Sequence, residues 1–303
     1  MSETLKRPVS GFPGLEEIRF PLELTPANPE IRKLWSMAKA STWDAERDIA
    51  YGSFDPTPYT EEQLEAAALF WSRRAWSEYT GIAESPVILL RMAFDGFRTP
   101  EAKYVLASKM MDEAKHTEAS YLLANTLGTY TASPPGDRSH AMVARLRERG
   151  LNADYCFEAA VAGWHCVSET VAVRLFGARY KVTTNPVVSD VLHHIIQDEI
   201  RHINVGWLYL DEVMPEINDD AIRANVRETM IEVIENVELA GFHSGAATQD
   251  EGDPFTAVDA IVAEAGLGAA TAEIERQVLQ DTLDEIKKRA AAWGVEIPDY
   301  NIA

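Results

Sequence analysis

The chain has 303 residues, a hydrophobic fraction of 46%, a formal net charge of -20 and two cysteines. That length can bury a substantial core, while the acidic balance excludes a nucleic-acid surface, which needs clustered Lys and Arg, and suits an anionic membrane no better. Cys156 and Cys166 are too few for a disulfide framework and lack zinc-type spacing; with no signal-peptide stretch and no apolar window of membrane-span length, a cytoplasmic location is expected.

In chain order, residues 1–27 carry four prolines and two glycines and are expected to be irregular. NPEIRKLWSMAKA, 28–40, predicts a short helix, and STWDAERDIAYGSFDPTP, 41–58, an ordered loop with aromatic anchors. Thr60 opens TEEQLEAA, a capping box followed by helical periodicity to about Phe97, with a kink or break expected at Gly81 and Pro86. RTPEAK, 98–103, reads as a turn and a new helix start, and that helix ends at Gly128. After the loop at 129–137, a short charged helix ends at Gly150, and a strongly apolar helix runs from Ala153 to about Leu175. Helices over about 187–213 and 219–242, a polar loop, and two further helical stretches ending near Trp293 complete the chain. Alternating strand patterns are absent, so the expectation is all-α with eight to ten helices.

Two short stretches carry the chemistry. MMDEAKH, 110–116, places Glu113 and His116 three residues apart, after Asp112. QDEIRH, 197–202, repeats the pattern with Asp198, Glu199 and His202. Residues three apart share a helix face, and each pair lies among apolar neighbours. A buried carboxylate beside a buried imidazole needs a compensating partner, and a metal ion supplies one. Bundles that hold two metal ions take two Glu-x-x-His pairs and one more glutamate from each of two further helices. Glu84 lies 29 residues before Glu113, and Glu169 lies 30 before Glu199. The matched spacing selects Glu84 over Glu78 and Glu169 over Glu158. His165, one turn before Glu169, is either a core histidine or an additional ligand. Asp112 and Asp198 are assigned across the bundle, Asp198 to His116 and Asp112 to His202, as acceptors for the outer ring N–H of each imidazole. Four carboxylates and two imidazoles make a hard, nearly neutral site that suits Fe or Mn better than Zn or Cu. An apolar cavity lined by Trp164, Phe157, Val173 and Met110 is expected to hold the substrate.

Over residues 60–214 these features resemble the ferritin-like di-iron carboxylate superfamily. DEAKH and DEIRH are similar to the motifs of ribonucleotide reductase small-subunit-like proteins and of multicomponent monooxygenase hydroxylases. LWSMAKASTWDAERDIAY resembles the lead-in of the ligand-binding oxidases related to the reductase small subunit. The resemblance implies a four-helix bundle core at 60–214 within a single domain 1–303, an N-terminal extension at 1–59 and accessory helices at 215–303. It also implies two Fe ions, or Mn/Fe, that activate dioxygen to hydroxylate, N-oxygenate or desaturate a small apolar or aromatic molecule, with an electron-donor protein and a homodimer. Radical generation for a reductase, and iron storage or peroxide scavenging, are the alternatives. Three positions depart from these families. Ser120 stands where the reductase subunit has its radical tyrosine, Val173 where the monooxygenases have Thr, and Trp164 where the ligand-binding oxidases have Tyr.

Overall fold

The structure, a computed structural model, describes residues 6–8, 16–18, 28–94, 100–132, 148, 150–152, 155–248 and 254–302. The chain is helical: α1 Pro29–Ala40, α2 Glu61–Phe94 and α3 Pro100–Leu127 are followed by a rod spanning 157–182, here α4. Then come α5 Pro186–Val213, α6 Asp220–Val233, α7 Pro254–Ala265 and α8 Ala272–Ala292. Two three-residue strands, β1 Lys6–Pro8 and β2 Glu16–Ile18, pair antiparallel with Lys6 opposite Ile18, a feature too short to leave an alternating pattern in the sequence. Most of the charged helix expected before Gly150 lies outside the described residues. No helix among the described residues is long and apolar enough to cross a membrane.

Helix starts follow local chemistry. Asn28 and Asn185 cap α1 and α5 by accepting two backbone N–H bonds each, ahead of a proline in the first turn. Thr60 and Gln63 form the reciprocal bonds of a capping box at α2. α2 runs on through Pro86 without the expected break. Proline there removes one intrahelical bond, and the buried Val87, Ile88 and Met92 hold the following turns against the core.

α2 packs along α3, α4 along α5, and α3 faces α5, giving a four-helix core. Its apolar interior is split in two. One layer gathers Ile88, Met92, Leu106, Phe157, Val205 and Leu210. The other gathers Phe70, Trp71, Leu123, Phe176, Leu192 and Ile195. On α2, α3 and α5 the residues between these layers are those around Glu78, Glu113 and Glu199. A polar layer is thus enclosed above and below by hydrocarbon, where unpaired charge is most costly.

α4 is not uniform. Phe157–Val161 is α-helical, Ala162–Ser168 winds as a π-helix, and Glu169–Val182 is α-helical again. Such wide turns accommodate an additional residue in a helix and recur at functional sites. This one ends immediately before Glu169.

Candidate metal centre

Counting inward from the facing ends of each helical pair sets the levels. From Phe94 and Pro100, Glu113 lies level with Gly81, and His116 with Glu78. From Val182 and Pro186, Glu199 lies level with Glu169. The side chains follow this register. Glu78, Glu113, His116 and Glu199 form one group, and Glu113, Glu169, Glu199 and His202 another, with the ligand-type atoms of each within 4.8 Å of one another. Glu113 and Glu199 belong to both groups, so the arrangement has two overlapping positions for a cation. The residue that meets the cluster from α2 is Glu78; the side chain of Glu84 lies outside the described residues. Glu158 stands apart, accepting from the Tyr209 hydroxyl at 3.3 Å.

The cluster residues are buried except Glu169, which is partly buried. His116 Nδ1 lies 3.1 Å from Glu199 and 3.5 Å from Glu78. Both of its ring nitrogens are without a hydrogen bond. His202 Nδ1 lies 2.9 Å from Glu199 and 3.7 Å from Glu113. The outer ring nitrogens face aspartates: His116 Nε2 is 3.5 Å from Asp198 and His202 Nε2 is 3.2 Å from Asp112. Asp198 also accepts from Ser41 at 2.7 Å, Trp43 Nε1 at 2.8 Å, Lys115 at 2.8 Å and Arg201 at 2.5 Å. Burial would raise its carboxyl, but the neighbouring His116 with Lys115 and Ser41 holds it well below the usual range. Lys115 and Arg201 bond Asp112 as well, at 2.8 Å each, so two cations balance the two aspartates. The loop after α1 therefore supplies two of the groups that fix the orientation of Asp198.

Gly81 matters through its missing side chain. A Cβ there would lie 2.7 Å from the Glu113 carboxylate. Gly81→Ala is expected to fold but to displace Glu113 and weaken divalent-metal binding by about 10-fold or more, as read from Mn(II) titration followed by electron paramagnetic resonance. Unchanged affinity would mean that Glu113 does not need this space.

Lys109 is the unexpected member. It is 1% exposed, lies one turn before Glu113 on the same face, and donates to both Glu113 and Glu169, the latter at 2.5 Å. Burial alone would lower the ammonium, but the two carboxylates more than reverse this and keep it protonated. His165 is close by without joining either group: its Nδ1 faces the His202 carbonyl at 2.9 Å. Burial and the charge of Lys109 push it down to about 3.

The donor set fits metal ions. Two buried imidazoles face the carboxylates of Glu78, Glu199, Asp112 and Asp198, all held below their usual range, His116 has no hydrogen bond for either nitrogen, and oxygen-rich sites of this kind prefer Fe or Mn. Burial would lower both imidazoles. Asp198, Glu199 and Glu78 outweigh this around His116, which stands well above its usual value, and Glu199 with Asp112 brings His202 to about 9. Without metal, both rings therefore carry a proton at pH 7, and ligation must release it. Metal affinity is expected to fall on acidification and to rise with pH until about 9, the value for His202, by ~10-fold per pH unit for each proton released. Calorimetry in buffers of different ionisation enthalpy measures the proton count; zero release would contradict the assignment.

A cavity adjoins the cluster. Its wall includes the cluster glutamates together with Arg74, Trp164, Phe176, Phe242 and His243. Trp164 thus lines it, whereas Phe157, Val173 and Met110 do not. Phe157 packs against Tyr209, with ring centroids 5.6 Å apart.

No family model matches the chain, and no curated protein does. Solved structures do. A variant of an R2-like ligand-binding oxidase with an aerobically reconstituted Mn/Fe cofactor superimposes with a TM-score of 0.66 at 18% identity, covering 87% of this chain and 94% of that one. The fold is that of the R2-like ligand-binding oxidases. Another variant, with an anaerobically reconstituted Mn/Fe cofactor, gives 0.67 at 17% identity, covering 87% and 94%. A third, with an Fe/Fe cofactor, gives 0.66 at 18%, covering 87% and 93%. This chain shares with them the ferritin-like helical bundle and holds a Glu/His cluster able to bind metal at its centre.

Proposed function

We propose that this protein is a dinuclear-metal oxidase, using Fe/Fe or Mn/Fe and dioxygen to oxidise a small molecule held beside Trp164. The observation that carries this reading is the largely buried pair of four-residue groups sharing Glu113 and Glu199. Glu78 and His116 would hold one ion, Glu169 and His202 the other, and Glu113 and Glu199 both. Two redox-active ions held there would supply the electrons that reduce dioxygen and the oxidising power for an inert bond.

The chain's own groups do the rest. Asp112 bonds the outer nitrogen of His202 and Asp198 faces that of His116, which keeps the inner nitrogens aimed at the cluster. The two apolar layers keep bulk water from the polar one, and Trp164, Phe176 and Phe242 offer an aromatic wall to a substrate. An electron donor is needed for each turnover, and we assign that role to a separate protein.

One observation favours a second reading, radical generation for a larger enzyme. Trp43 donates to Asp198, which faces His116, and the Trp43 and His116 rings lie 6.3 Å apart. Trp43 thus bonds the aspartate that faces a cluster imidazole, which sets an oxidisable ring beside the cluster. Aerobic addition of Fe(II) separates the readings. Catalytic turnover of an added aromatic substrate supports the oxidase, and a stable protein-radical resonance without turnover supports the second. Iron accumulating far beyond two ions per chain would sink both.

A further inference from the structure

We propose that the two cation positions load in a fixed order: Lys109 already occupies part of the second, and its ammonium must pass to His165 Nε2 before an ion binds there. This rests on the dinuclear reading above and adds a loading order to it.

The two positions differ in how much of each the lysine holds. In the group of Glu78, Glu113, His116 and Glu199, it bonds one member, Glu113. In the group of Glu113, Glu169, Glu199 and His202, it bonds two, Glu113 and Glu169, the latter at 2.5 Å. An ammonium that holds two of four donors is the resident cation of that position. An ion entering the first position finds three donor side chains clear of the lysine. One entering the second must break both lysine bonds, and charge-assisted bonds of this kind are the strong ones. The second ion therefore binds more weakly than the first.

The displaced ammonium needs an acceptor. Lys109 is 1% exposed, and a buried charge without a partner is costly. His165 supplies one. Its Nδ1 faces the His202 carbonyl, which can only accept, so the ring proton sits on Nδ1 and Nε2 keeps a bare lone pair. That Nε2 is buried and has no hydrogen bond. The ring lies one helical turn before Glu169, the residue that Lys109 bonds, and the Lys109 charge helps to hold it neutral. Among the described residues, the other buried ring without a hydrogen bond is His116, which belongs to the first position and is taken up there. In the exchange no covalent bond changes and the ammonium keeps its proton.

The test is anaerobic Mn(II) titration followed by electron paramagnetic resonance, with metal counted on the same samples. The unaltered chain should show an isolated ion first, then a spin-coupled pair as a second ion binds at least ~10-fold more weakly. Lys109→Met should narrow that gap ~10-fold, by tightening the second ion more than the first. His165→Leu should weaken the second ion ~10-fold or more and spare the first. In the Lys109→Met background the same change should have no effect, because no ammonium remains to be received. An equal cost of His165→Leu in both backgrounds would make His165 a direct ligand and overturn the exchange. A spin-coupled signal from the first ion onward in the unaltered chain, or an unchanged gap in Lys109→Met, overturns the order. The unaltered chain and His165→Leu decide even if Lys109→Met fails to fold. Two ions bound without order sink this proposal alone; fewer than two per chain at saturation sink the dinuclear reading and this inference with it.

Discussion

Replacing Lys109 by methionine is expected to destabilise the metal-free protein by about 3–5 kcal/mol, because breaking a buried ion pair leaves its acids uncompensated. The same change should tighten divalent-ion binding at Glu113, Glu169, Glu199 and His202 by ~10-fold or more. The ammonium now bonded to Glu113 and Glu169 competes for the oxygens an ion would use. At an effective dielectric of 20, one unit charge 4 Å from another is worth about 4 kcal/mol. Tenfold needs only about 1.4 kcal/mol of that, so the effect survives a generous discount for rearrangement. Thermal denaturation with and without Mn(II) reads both halves. The variant should melt below the parent when stripped of metal and recover most of the gap when loaded. A metal-free Lys109→Met as stable as the parent would show that the two glutamates are protonated rather than paired, and that Lys109 compensates nothing.

The second large effect separates shared from private ligands. Glu113→Gln and Glu199→Gln keep the size of the side chain and remove its charge. Each stands in both groups, so each should weaken both ions. Even residues that only orient ligands cost 10–100-fold when altered, so a lost ligand should cost ~100-fold or more. Glu78→Gln and Glu169→Gln touch one group apiece and should leave one ion bound at near-normal affinity. Metal counted per chain after gel filtration, with the Mn(II) resonance distinguishing isolated from coupled ions, gives the pattern. If all four variants lose the same number of ions, the division into shared and private ligands is wrong.

Much of this cluster could be read in the chain, for a geometric reason. Glu113 with His116, and Glu199 with His202, are one turn apart, and helical spacing alone puts each pair on one face. The helical class followed from the same periodicity. The contribution of α2 was harder, because it depends on where two helices turn. Taking RTPEAK as the turn makes Glu84 the partner level with Glu113. The helix stops at Phe94, and the register from there sets Gly81 opposite Glu113 and Glu78 opposite His116. Ser77 and Tyr79 beside Glu78 gave it the look of a polar face. Lys109 left a clearer trace: it is four residues before Glu113, hence on the same face, inside an otherwise apolar run. Arg201 sits three residues after Asp198 in the same way. Arg74 carries no such mark, since one turn before Glu78 means little until Glu78 is known to point inward. The π turn in α4 is invisible to a periodicity count, because Ala162–Ser168 is buried throughout and has no polar side to mark its phase.

That turn governs which deletions α4 can absorb. Phe157 and Val161 meet the core on one side of it, and Glu169 meets the glutamates on the other. A residue removed from within 162–168 would tighten the winding to ordinary α pitch and leave both flanks facing as they do. A residue removed between Glu169 and Val182 would instead swing Glu169 about 100° around the rod relative to everything after the gap. Length variation in this rod, if the fold tolerates any, is therefore confined to its widest turn.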